Sequence, residues 1–176
     1  MLLWHLGATT AIVRYAFRDE RMDLRLLFVG AILPDLVDKP VALIFFDSLR
    51  STRLIAHCLL AATVAMIAVL MATRRGRPRK RWMPLAVGML VHLFLDGMWS
   101  DPETLWWPML GLDFSPNIAA SAGTYLGSLL TNPIVWIEEL LGAAYLAWLY
   151  VRGGLGGREV RRRFLADGVI AVPIGR

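Results

Sequence analysis

Apolar residues in this chain come in long blocks, each closed by a short polar or charged stretch, and the block lengths approach the twenty or so residues that cross a bilayer as helix. The pattern predicts helices at Leu2–Phe17, Leu26–Phe46, Leu54–Thr73, Trp82–Trp99 and Pro133–Val151. The second block is interrupted by Pro34, Asp35, Asp38, Lys39 and Pro40, so its helix is expected to break between Pro34 and Pro40. Residues 100–132, rich in Gly, Pro, Ser and Trp, read as an irregular connection, and 152–176 as a basic tail lying on the surface. No repeat or low-complexity segment divides the chain, which reads as one polytopic domain over 1–176.

Composition decides the solvent. Of 176 residues 57% are hydrophobic and only 19% charged, with mean hydropathy +0.54; soluble domains hold about 45–50% and 25%. The expected fold is an all-α integral membrane protein of about five transmembrane helices. The first block is not read as a cleaved signal, because its cations, Arg14 and Arg18, follow the apolar run instead of preceding it.

The formal charge of +5 raises nucleic acid as a partner, but the cations cluster between apolar blocks, as topology signals do, and no nucleic acid is expected. Residues 74–81, RRGRPRKR, fix that connection in the cytoplasm. Alternating five spans from there places the N-terminus outside and the tail from Arg152, Arg176 included, inside. Every Lys and Arg then falls on the inner side except Lys39, Arg50 and Arg53. The predicted location is a prokaryotic plasma membrane.

On this topology the polar residues inside the apolar blocks share a depth. His5, Asp35, Asp38, His57, His92, Asp96, Glu138 and Glu139 all fall in the outer half. His92 and Asp96, four apart, share one helical face. Taken singly, each has a structural role available: His5 among headgroups, Asp35 as a cap after Pro34, Asp38 paired with Lys39, Glu138 and Glu139 at a helix N-terminus. Taken together, ionisable groups at membrane depth mark a functional site. With one cysteine, Cys58, any metal centre must use nitrogen and oxygen.

Imidazole with carboxylate suits Zn²⁺ or a similar divalent ion, one or more in number. The expected ligands are His5, Asp35, His57, His92 and Asp96. Asp38 is expected to orient a ligand or act as a base, and Glu138 to join the centre. Arg53 is expected to clamp an anion, with Lys39 and Arg50 assisting in its binding.

The order His5-Leu6-Gly7, Gly30 to Asp35 with Asp38, Arg53 to His57, His92 to Asp96, and Leu105 to Pro108 resembles the predicted membrane-bound metal-dependent hydrolases, small bacterial and archaeal integral proteins that include a LexA-regulated inner-membrane member. The likeness spans roughly His5 to Pro108. Members typically show R-G-x-T-H-S where this chain has Arg53-Leu54-Ile55-Ala56-His57-Cys58, and often a histidine where Thr52 stands. A looser similarity of ligand order links the chain to zinc-dependent phospholipases C. Together the resemblances imply hydrolysis of a phosphoester in a lipid-like anionic substrate at the outer leaflet. The alternatives are a metal-binding membrane protein or transporter without catalysis, and a structural protein whose polar groups pair with each other.

Overall fold

The computed structural model describes residues 1–116 and 121–173; Arg176 lies outside them. Among the described residues the chain is helical without strands. Its helices are α1 (Leu2–Phe17), α2 (Leu24–Ile44), α3 (Phe46–Leu49), α4 (Leu59–Ala72), α5 (Arg77–Leu95), α6 (Pro102–Leu105), α7 (Ala122–Thr131), α8 (Pro133–Arg152) and α9 (Arg158–Asp167), with 3-10 turns at Ile55–His57 and Met98–Ser100. Among the described residues only α8 is long and apolar enough to cross a membrane by length and composition, while α4 is apolar but shorter. The sequence leads one to expect more such helices. Charge removes two of them from that class, because α2 carries Arg25, Asp35, Asp38 and Lys39 and α5 opens with Arg77, Arg79, Lys80 and Arg81.

The sequence reading needs correction in four places. Helix α2 does not break at Pro34–Pro40 but runs through both prolines. The backbone contact holding it is close: a Cβ on Gly30 would sit 2.0 Å from the Leu85 carbonyl oxygen, and one on Gly88 2.7 Å from that of Leu27. Glycines here let α2 and α5 approach backbone to backbone, which is how membrane helices gain packing contact, and the long apposition supports the turns where proline removes a hydrogen bond. Second, the block from Leu54 becomes helical only at Leu59. Before it, Asp38 accepts the amides of Leu54, Ala56 and His57, at 2.8, 3.1 and 3.1 Å, and bends them into a turn.

Third, the segment 100–132 is not wholly irregular: it holds α6, N-capped by Asp101, and α7, N-capped by Ser121. Fourth, the tail does not simply lie on the surface. After α9 and its left-handed Gly168, the chain turns inward and buries Ile170 and Val172, whose carbonyls accept from the Arg14 guanidinium at 3.4 and 2.6 Å. These two side chains complete an apolar cluster with Val13, Leu24, Leu27, Leu149 and Leu155. A second cluster, Ala62, Met89, Leu93 and Met98, lies toward the other end of α5.

Candidate metal centre

Four elements deliver the polar side chains. Helix α1 brings His5, α2 brings Asp35 and Asp38, the turn before α4 brings His57, and the end of α5 brings His92 and Asp96. Gly97, with φ +64°, stops α5 just after Asp96 and turns the chain away. His5, His57 and His92 are all buried, which leaves each ring nitrogen dependent on a protein partner.

The rings are held alike. His92 donates Nδ1–H to the Ala31 carbonyl at 2.7 Å, and His57 donates Nδ1–H to Asp38 Oδ2 at 2.7 Å. His5 Nδ1 faces the carbonyl of Met1. A carbonyl can only accept, so His92 carries its proton on Nδ1 and turns the bare Nε2 inward. The Nε2 atoms of His57 and His92 then face each other at 3.3 Å, lone pair toward lone pair if both rings are neutral. Around them stand Asp35 Oδ1, 3.4 Å from His57 Nε2 and 3.7 Å from His92 Nε2, and Asp96 Oδ2, at 3.5 and 3.9 Å. Asp35 Oδ1 is buried without a hydrogen-bond partner among the described residues.

Such a convergence of acceptors asks for positive charge between them. All four donor atoms lie within 4.8 Å of one another. A tetrahedral ion with bonds of about 2.0–2.1 Å sets its ligands about 3.3 Å apart, close to the spacings here. Asp35, His57, His92 and Asp96 can thus hold a metal ion. The second oxygen of each acid is engaged elsewhere: Asp35 Oδ2 by Lys39 Nζ at 2.5 Å, Asp96 Oδ1 by His5 Nε2 at 2.9 Å.

Not every expected residue joins this group. His5 reaches it through Asp96, its ring stacked 4.3 Å from that of His92. Asp38, buried and holding three amides and an imidazole, faces His57 and not the open space. Arg53 sets Nε 3.4 Å from Asp96 Oδ2 and donates from Nη2 to the Asp96 carbonyl at 3.1 Å. Arg50 is exposed at the end of α3 and lies outside the cavity that Lys39 and Arg53 line. Glu138 has no hydrogen-bond or ion-pair partner among the described residues. Its neighbour Glu139 is the one turned to α1, where it accepts the Leu3 amide at 2.9 Å.

A cavity of about 690 Å³ opens over the centre. Its floor includes Asp35, His57 and Asp96, and its walls bring in Asp101, Glu103 and Tyr125, none of which the sequence reading singled out. Asp101 was within reach of that reading, since an acid directly before Pro102 is a helix-start signal. Tyr125 is not, because the composition of residues 100–132 points to an irregular connection.

Because Asp38 fixes the ring and proton position of His57, Asp38→Asn should weaken divalent metal binding about 10–100-fold. Competition with a chelating dye reads this directly, and unchanged affinity would show that His57 needs no such support.

Buried polar residues gathered among helices whose outer faces are apolar define a helical membrane protein with a candidate metal centre. Residues 2–158 match the family model described as YdjM inner membrane protein, and the chain belongs to that family. No curated protein and no solved structure matches it.

Proposed function

We propose that the protein is a metal-dependent hydrolase acting on a phosphoester of an anionic, lipid-linked substrate at the extracytoplasmic side of the inner membrane. One observation carries the reading: imidazole nitrogens and single carboxylate oxygens converge at a cavity that Asp35, His57 and Asp96 line together with Arg53 and Lys39. Two nitrogens and two oxygens make a donor set suited to Zn²⁺.

In this proposal α1, α2, α4, α5 and α8 are the crossing helices, with the N-terminus out and the tail in. The support is that α1 holds His5 near its start and Arg14 near its end, and α5 holds Arg77–Arg81 at its start and His92 near its end. Ligands and cation clusters thus sit at opposite ends of the same helices, and cations belong on the cytoplasmic side. Lipids surround such a domain and supply the substrate.

A divalent ion in the quartet would contribute Lewis acidity and lower the pKa of bound water toward about 7. The chain's own residues do the rest. Arg53 and Lys39 receive the phosphate, the guanidinium through donors that Asp96 does not hold. Asp38 holds His57 and Ala31 holds His92, so that both Nε2 atoms stay aimed inward. With Asp35, Asp38, Asp96, Asp101 and Glu103 around the cavity, two added positive charges would offset much of the negative charge that an anion meets there.

The test is to purify the protein in detergent, measure its metal content, and present phosphatidic acid, phosphatidylglycerol and a polyprenyl diphosphate in mixed micelles. Release of phosphate or phospho-headgroup that vanishes with chelator and returns with Zn²⁺ is expected. Stoichiometric metal without turnover on any of the three would overturn the hydrolase reading and favour a metal-binding membrane protein.

A further inference from the structure

A second recess lies at the opposite end of α1 and α5, away from the metal centre. It measures about 380 Å³, and its apolar wall is formed by Phe17, Met22, Met83, Pro84 and Val87. Its rim holds Arg79 and Lys80, with Asp19 as the one acid among its described lining residues. The recess therefore combines two surfaces that no single simple solute satisfies: an apolar trough and a cationic edge.

The groups on the rim are not equivalent. Arg79 is partly committed, donating from Nη2 to the Leu70 and Thr73 carbonyls at 2.7 Å each, where it closes the end of α4. Its Nε is buried with no hydrogen-bond partner among the described residues. Lys80 is exposed, and its Nζ has no hydrogen-bond or ion-pair partner among them. Asp19 accepts the Arg21 amide at 2.9 Å, and the flanking Arg18 and Arg77 tilt the local charge further toward positive, while Arg81 is paired with Asp23 at 3.3 Å.

We infer that this recess is a binding site for an anionic phospholipid of the cytoplasmic leaflet. The acyl chain lies along Met83 and Val87, and the headgroup phosphate meets Lys80 and the free edge of Arg79. The charge and the level both fit. Helix α1 ends at Phe17 and α5 starts at Arg77, so the recess spans the passage from apolar helix to charged connection, where headgroups lie. Basic pockets between helices on the cytoplasmic side are a recurrent means of holding acidic lipids. A neutral lipid would leave the cations unused, and a soluble phosphate would leave the trough unused. The site shares no residue with the metal centre and does not need the hydrolase reading; its cytoplasmic level rests on the orientation proposed above.

The test uses the full-length protein in detergent, titrated with phosphatidylglycerol or with phosphatidylcholine of the same chains and followed by thermal shift and native mass spectrometry. Phosphatidylglycerol should bind and stabilise more strongly than phosphatidylcholine. Lys80→Gln, an exposed substitution, should weaken phosphatidylglycerol about fivefold, and Met83→Gln should weaken both lipids. Equal binding of the two lipids by the unaltered protein overturns the inference without recourse to any variant. So does an unchanged phosphatidylglycerol affinity in either variant, or the same thermal shift from glycerol phosphate alone. Metal content serves as the separate readout: it should stay constant throughout, and its loss would concern the other site.

Discussion

Replacing His92 with alanine should strip the protein of its divalent metal and of any turnover that depends on it. His92 Nε2 lies 3.3 Å from His57 Nε2 and within 3.9 Å of both carboxylate oxygens of the quartet, so its loss removes one of four donors and opens the centre on the α5 side. Losing a group that only orients a ligand costs about 10–100-fold in affinity, and losing the ligand itself should exceed about 100-fold. The substitution also truncates a buried ring, and cavities of that kind cost roughly 2–5 kcal/mol. The comparison must therefore include metal-free unaltered protein, whose melting temperature separates lost fold from lost ion. Glu138→Ala is the matched control and should keep its metal. Near-stoichiometric metal in folded His92→Ala would sink the assignment of the quartet.

Gly30→Val should be the most damaging single change in the scaffold. Its Cβ would lie 2.0 Å from the Leu85 oxygen, 2.8 Å from the Leu85 carbonyl carbon and 3.0 Å from its Cα. All three are backbone atoms, so no side chain can swing away and the two helices must part. Overpacking of this kind costs about 1–3 kcal/mol or more. The displacement also carries chemistry, since α2 bears Asp35, Asp38 and the Ala31 carbonyl while α5 bears His92. Thermal unfolding in detergent should show a clear drop in Tm, together with weakened metal binding. Gly127→Ala, where an added Cβ meets nothing within 4 Å, should change neither. Equal stability of Gly30→Val would mean that the close approach of α2 and α5 is dispensable.

Much of this arrangement was legible in the sequence, and the failures have physical causes. Hydropathy blocks mark α1 with its bounds and α8 to within a residue, because both are mostly apolar runs bounded by polar stops. The prolines of α2 misled, since a propensity rule for an isolated helix knows nothing of the glycine contact with α5 that sustains the turn. Leu54–His57 looked like helix by composition, but a buried carboxylate from another segment claimed its amides.

For the site, Asp35, His57, His92 and Asp96 were found because ionisable groups in an apolar run stand out whatever the packing. The sequence does not separate Glu138 from Glu139: spacing gives the angle between two side chains on one helix but not the rotation of that helix against its neighbours, and it is Glu139 that accepts the Leu3 amide of α1. Arg50 was grouped with Arg53 by proximity in sequence, and a left-handed residue at the end of α3 places it elsewhere.

Asp35 and Asp96 each keep one oxygen for Lys39 or His5 and offer only the other to the centre. A guest cation is thus gripped by each acid with one hand. Calcium, which gathers six to eight oxygens, would find the place too sparsely furnished, whereas a small ion content with four neighbours would not. For an ion held there, the occupied oxygens would narrow the choice as much as the open ones.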